Sequence, residues 1–136
     1  MKNASLGRLL RDERGAELVE FLGFLPLVLM IIVVGWQFAL VGYTGVVAAS
    51  AAREGARAAA AGEDAGQAVV WASPGFDRRR EWTSSGVCFG GSGQPVTVRV
   101  QLEVPHVAVP FLGSLGVRPK VSASATLRCE PPYEAP

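Results

Sequence analysis

The sequence is poor in the residues that catalysis and metal binding require. It contains one histidine, His106, and two cysteines, and these do not cluster with carboxylates at the spacing of metal ligands. It also has no Ser/His/Asp grouping and no glycine-rich phosphate-binding loop. We therefore expect a protein that is not an enzyme and that uses no cofactor and no metal.

An excess of charge of one sign is also missing. The 13 basic and 12 acidic residues nearly cancel, so bulk charge does not favour nucleic acid or an acidic substrate. The one basic run, Arg78-Arg79-Arg80 followed by Trp82, is typical of a solvated loop. We expect no nucleic-acid partner.

Charge is absent altogether from the 32 residues between Glu20 and Arg53. The first part of this segment, residues 21–43, is apolar over 23 residues, and the core of a bilayer requires about 20. A soluble domain of this size could bury such a helix only by surrounding it. The pattern predicts a single membrane-spanning helix.

The flanking charges predict how this helix is oriented. Four basic residues precede the apolar run and two follow it closely: Lys2, Arg8, Arg11 and Arg14 before, Arg53 and Arg57 after. The excess predicts a cytoplasmic N-terminus and a C-terminal domain outside the cytoplasmic membrane. Cys88 and Cys129 would then lie on the oxidising side, where a disulfide is expected; free thiols or pairing between subunits are the alternatives.

Three segments are expected: a basic leader at residues 1–15, a long helix at 16–61, and an extracytoplasmic domain at 62–136. The alanine-rich stretch up to Ala61 favours one continuous helix that extends beyond the span, with a kink at Pro26. Gly62 ends it. Glu63 and Asp64 suit the first turn of a shorter helix that closes near Ala72.

The C-terminal domain is predicted to be built from strands. Residues 73–93 have the composition of a loop, with a candidate short strand at residues 87–89. Apolar residues alternate with polar ones twice, first from Val96 to Val104 and again from Val121 to Cys129. Two strands with one apolar face require a cover, which the helices can supply. The fold class is α+β, a long helix with a small antiparallel sheet packed on its outer end.

The junction between the leader and the apolar run resembles a prepilin-peptidase site. It reads Arg14-Gly15-Ala16-Glu17-Leu18-Val19-Glu20-Phe21, with the cut expected between Gly15 and Ala16. Glycine lets the backbone approach a membrane-embedded protease closely. A carboxylate at the edge of a span is costly, which makes Glu20 a candidate functional residue; an interfacial glutamate whose side chain reaches water is the alternative. The resemblance to type IV pilins implies that Glu20 would meet the free amine of Ala16 of a neighbouring subunit.

Further segments are similar to TadE-like proteins of the tight-adherence (Flp, type IVc) pilus system. They are Val19-Glu20-Phe21 followed by Leu25-Pro26-Leu27, Ala51-Ala52-Arg53-Glu54-Gly55-Ala56-Arg57, and the closing Ser122–Arg128. The resemblance implies a minor pilin or pseudopilin, processed by prepilin peptidase and assembled, with Glu20 and Phe21, into a pilus or its platform. Its partners would be other pilins, the platform proteins and the membrane, in a homo- or hetero-oligomer. Its place would be the cytoplasmic membrane or the cell surface.

A row of small residues follows one side of the long helix at spacings of three or four. Such rows let spans approach one another closely in lipid. The row is formed by Gly35, Ala39, Gly42, Gly45, Ala49, Ala52, Ala56 and Ala60.

Two other functions remain open on the sequence. One is a membrane-anchored binding or adhesive module that never enters a filament. The other is a secreted domain released by signal peptidase in the small-residue run around Ala51, although the apolar stretch before it is longer than a signal peptide has. The mature N-terminus distinguishes the three functions. It would be Ala16 for a processed pilin-like subunit, Met1 for an anchored module, and a residue near Ala51 for a secreted domain.

Overall fold

A computed structural model of the chain describes residues 13–86, 88, 93–105 and 119–131. These belong to two compact units, Met1–Phe38 and Ala39–Pro136. The first unit consists, where it is described, of helix alone. The second contains the rest of that helix, a second helix and a sheet.

The long helix, α1, spans Glu13–Ala61 with Pro26 inside it. It begins three residues before the predicted start at residue 16 and ends at residue 61, as predicted. Gly62 adopts a φ of +78°, which is favourable only for glycine, and its N–H bonds the Ala59 carbonyl at 3.2 Å. The Glu63 N–H bonds the Ala58 carbonyl at 2.7 Å. Together these two bonds form a Schellman motif, which ends α1 at this point.

The second helix, α2, spans Ala65–Ala72. Asp64 is its N-cap: the side chain accepts hydrogen bonds from the N–H groups of Gly66 at 2.8 Å and Gln67 at 3.1 Å. Asp64 therefore precedes the first turn instead of lying in it, and Glu63 belongs to the cap of α1.

Three antiparallel strands form one sheet in the order β1-β2-β3: β1 (Arg80–Ser85), β2 (Pro95–Glu103) and β3 (Lys120–Arg128). The two predicted strands are confirmed as β2 and β3. The prediction of a loop over 73–93 is wrong for β1. Its sequence, REWTSS, has no apolar alternation because five of its six residues are exposed, and only pairing with β2 makes it a strand. Residues 87 and 89 of the candidate short strand lie outside the described residues, and Cys88 is not in a strand.

The core of the Ala39–Pro136 unit lies between α1 and the inner face of the sheet. The alternating residues of β2 are buried, as predicted: Val96, Val98, Val100 and Leu102, with Val104 just beyond the strand. The small residues Ala48, Ala51, Ala52 and Ala56 of α1 pack against them, joined by Val69 of α2. The inner row of β3 is only partly covered. These features confirm the α+β class.

Candidate membrane anchor and assembly site

The N-terminal part of α1 presents apolar side chains to its surroundings. Every side chain from Glu17 to Ile32 is exposed. The segment Glu17–Ala61 is long and apolar enough to cross a membrane, and its most apolar window has a mean hydropathy of 2.6 and no buried residues. A core helix of a soluble protein would be buried, so this helix fits a single-pass membrane anchor.

The predicted cleavage bond lies in the first turn of α1. Because α1 begins at Glu13, the backbone at Gly15 and Ala16 is helical in this structure and not extended.

Glu20 and Phe21 lie one turn beyond Ala16. Four residues of α-helix rise about 6 Å, which places Glu20 on the same side of the helix as Ala16. The Glu20 side chain is exposed, and it makes no ion pair within the described part of the chain. Phe21 is also exposed. The carboxylate is thus available to a group supplied from outside the chain.

The row of small residues divides into two parts with different surroundings. Gly35, Ala39 and Gly42 are exposed, and at both glycines a Cβ would meet no described atom within 4 Å. This part remains available to another helix. Ala52, Ala56 and Ala60 are instead buried against the sheet of the same chain, and a Cβ at Gly45 would lie 3.7 Å from Val121 Cγ1. Ala49 is half-buried between the two parts.

The segment from Ala51 to Arg57 has two faces. Its small residues face the core, and the closest approach is at Gly55, where a Cβ would lie 2.6 Å from Val69 Cγ2 and 3.0 Å from Val98 Cγ1. Its charged residues, Arg53 and Arg57 among them, are exposed. The sequence marks Gly55 only as a glycine in an alanine-rich helix, so its role at the crossing of α2 was not predicted.

The disulfide joins Cys88 to Cys129, as predicted, with a Cα–Cα distance of 5.6 Å. Cys129 is buried in a small cluster with Ala60 and Val96. The next N–H, that of Glu130, bonds the Ala60 carbonyl at 3.1 Å. The bridge therefore attaches the loop before β2 to the end of α1.

The basic run is not uniformly solvated, contrary to expectation. The Arg80 side chain is 6% exposed and donates to Ser73 Oγ at 2.6 Å, the Ser73 carbonyl at 2.7 Å and Asp77 Oδ1 at 3.1 Å. Arg79 lies over the Phe76 ring, 5.7 Å from its centroid. Arg80 therefore fixes the connection between α2 and β1, whereas Arg78 and Arg79 are exposed.

No group of three or more His, Cys, Asp or Glu residues that could hold a metal ion occurs within residues 13–86, 88, 93–105 and 119–131. His106 lies outside these residues.

Comparison with known proteins finds a similarity over the helical segment. Residues 15–57 match the family model of TadE-like proteins. No curated protein and no solved structure matches the chain. The match begins at Gly15, includes Glu20 and the exposed apolar run, and ends at Arg57. Over these residues the chain is similar to TadE-like proteins.

Proposed function

We propose that this protein is a pilin-like subunit of a tight-adherence pilus or of its assembly machinery, cut by prepilin peptidase between Gly15 and Ala16. One observation carries the proposal: the family match opens at Gly15 and runs through Glu20 into an apolar helix whose side chains are exposed. The cleavage bond, the carboxylate and the span thus occur together in the order that processing and assembly require.

Glu20 is the residue proposed to direct assembly. After the cut, Ala16 carries a free amine at the membrane interface. Within lipid an unpaired carboxylate is costly, and a salt bridge to the amine of a neighbouring subunit would offset that cost. Glu20 is exposed and makes no ion pair within the described residues, which leaves it available for this contact.

Release of a secreted domain by signal peptidase fits the structure poorly. Ala51 is fully buried in the core, and Ala48 is buried one turn before it. A cut near Ala51 would divide α1 and remove Ala48 from the core, which would destabilise the domain that it releases. A membrane-anchored adhesive module that stays outside the filament remains the second candidate.

The mature N-terminus tests the proposal. Intact mass of the protein purified from membranes should match a chain that begins at Ala16, and it should match the full chain in cells without prepilin peptidase. Gly15→Arg should leave the leader attached, because the peptidase must accommodate this residue at its active site. Gly7→Arg, which places the same side chain elsewhere in the leader, is the control. Normal maturation of Gly15→Arg would overturn the cleavage assignment.

A further inference from the structure

The two flanks of the Ala39–Pro136 unit each carry a sheet edge and exposed apolar side chains. β3 is one edge strand, its inner row is only partly covered, and Leu127 is 42% exposed. β1 is the opposite edge, and α2 beside it exposes Val70 and, at 79%, Trp71. Within the described residues, no strand pairs with either outer edge. An uncovered edge is a template for adding another strand.

The hydrogen bonds of the sheet tell which backbone groups are directed outward. β3 is bonded to β2 through odd-numbered positions, as in the bond from Val104 N–H to the Pro119 carbonyl at 2.9 Å. In an antiparallel pair the alternate residues direct their N–H and C=O groups away from the partner. The outward groups of β3 are therefore those of Lys120, Ser122, Ser124, Thr126 and Arg128.

The same reasoning applies to β1. The Glu103 N–H bonds the Arg79 carbonyl at 2.9 Å, so position 79 and every second residue after it are bonded to β2. The outward groups of β1 are those of Arg80, Trp82 and Ser84. Both edges thus offer backbone donors and acceptors at a spacing of two residues.

The flank beside β3 is basic. α1 runs alongside β3, since Gly45 lies near Val121 and Ala60 packs against Cys129. Arg53 follows the half-buried Ala49 by one turn of α1, Arg57 follows Arg53 by another, and both are exposed.

The flank beside β1 is acidic at the start of α2 and aromatic near its end, with the exposed Arg78 and Arg79 just before β1. Glu63 and Asp64 are exposed where α2 begins, and Trp71 is exposed near its end. α2 crosses α1 at Gly55, which lies between Arg53 and Arg57 in the chain. The opposite charges on the two flanks are therefore at about the same level along α1.

Strand direction decides how two copies could meet. β1 and β3 are both antiparallel to β2, so they run in the same direction, and α1 runs with β3. Copies with their helices side by side and in one direction can join β3 of one to β1 of the next. Antiparallel pairing of β3 with β3 would reverse the helix of one copy. If that pairing were centred on Ser124, it would also place Lys120 of one copy opposite Arg128 of the other.

We propose that the outer edge of β3, with Arg53 and Arg57, docks the α2–β1 flank of a second copy of this chain. Glu63, Asp64 and Trp71 of that copy meet the two arginines, and β1 continues the sheet as a parallel strand. The contact rests on the proposed membrane anchor, which gives both copies one orientation. Because the two surfaces differ, the contact is heterologous and can repeat from copy to copy.

Photocross-linking of the full-length chain tests this contact. A benzoylphenylalanine replaces Trp71, and equal amounts of ¹⁴N- and ¹⁵N-labelled protein are mixed in lipid nanodiscs that hold several copies. We expect mixed-isotope cross-links from position 71 to peptides covering residues 46–57 or 120–128. Cross-links confined to one chain, or mixed cross-links to other segments only, would overturn the proposal.

Charge reversal provides the matched variants. Arg57→Glu and Glu63→Arg should each lower the mixed cross-link yield about tenfold, because like charges then face each other across the contact. The double variant should restore the yield. Arg99→Glu, a reversal on the outer face of the sheet, is the control and should leave the yield unchanged. Equal yields for Arg57→Glu and Arg99→Glu would contradict the contact.

Ser124→Pro tests the strand edge separately. The proline removes an outward N–H and spares the hydrogen bonds between β2 and β3. Edge strands tolerate proline at such positions. The yield should fall while the melting temperature stays close to that of the wild type; if this variant unfolds, the charge variants still decide. Intact mass of the same samples reports cleavage at Gly15. Cleavage without the contact would refute this inference alone, and the contact without cleavage would refute the processing alone.

Discussion

At the scale of single residues, Gly55 shows how little space the core leaves. Its missing side chain lets α1 approach both α2 and β2, since a Cβ there would contact Val69 at 2.6 Å and Val98 at 3.0 Å. Both neighbours are fully buried valines. The glycine between Arg53 and Arg57 is therefore a packing requirement.

Gly55→Ala should lower the free energy of unfolding by about 1–3 kcal/mol through overpacking. Chemical denaturation of the detergent-solubilised protein, followed by tryptophan fluorescence, measures this change. Gly42→Ala is the control, because Gly42 is exposed in the same helix and a Cβ there meets nothing within 4 Å. An unfolding midpoint for Gly55→Ala equal to that of Gly42→Ala would show that α2 moves aside freely.

Glu20→Ala should leave membrane insertion intact and reduce incorporation into pili or partner complexes. Insertion is retained because the substitution removes a charge from the edge of the span. Immunoblots of membrane and sheared-pilus fractions measure the two effects. Glu17→Ala removes another exposed carboxylate one turn earlier on α1 and is the matched control. If both variants assemble to the same extent, Glu20 has no role of its own in assembly.

At the scale of elements, the disulfide and the end of α1 form one structural unit. Cys129 is buried beside Ala60, and the following N–H donates to the Ala60 carbonyl. The bridge joins cysteines 41 positions apart, and the loop that it closes contains β2, β3 and their connections. A domain with so few large core side chains gains much from such a constraint.

Replacing both Cys88 and Cys129 by alanine should therefore destabilise the domain by about 4 kcal/mol, chiefly by freeing the unfolded chain. Thermal melts of the oxidised wild type and of the double variant measure the loss. The wild type treated with reductant should melt close to the variant. Identical melting of the oxidised wild type and the double variant would mean that the cluster at Ala60 holds without the bridge.

At the scale of the whole molecule, the proposed anchor sets the compartment of each part. The apolar segment of α1 would cross the membrane, and the Ala39–Pro136 unit would lie outside the cytoplasm. The excess of basic residues before the span supports this orientation. The disulfide is consistent with an oxidising compartment.

Thr83→Cys in the cysteine-free background reports the orientation directly, because Thr83 is exposed on β1. A membrane-impermeant maleimide should label it in intact spheroplasts. Ser5→Cys in the Gly15→Arg background, where the leader is retained, should be labelled only after lysis. Labelling of the leader cysteine, but not of Thr83→Cys, in intact spheroplasts would reverse the assignment.

The sequence by itself was sufficient for most features that depend on local pattern. The charge-free run, the alternation in β2 and β3, and Gly62 after the alanine-rich helix predicted the elements and several of their ends, because periodicity and φ > 0 are local properties. Gly15 and Glu20 were singled out by the resemblance of one short segment to a prepilin-peptidase site, and their roles stay predictions.

Only the tertiary structure decided which faces meet. β1 has no apolar alternation of its own and is a strand because it pairs with β2. Arg80 is buried, unlike the rest of its basic run, because its guanidinium bonds Ser73 and Asp77. The row of small residues in α1 looks continuous in sequence, yet its C-terminal part is buried in its own chain. Each of these outcomes depends on contacts between segments far apart in the chain, and local pattern carries no information about such contacts.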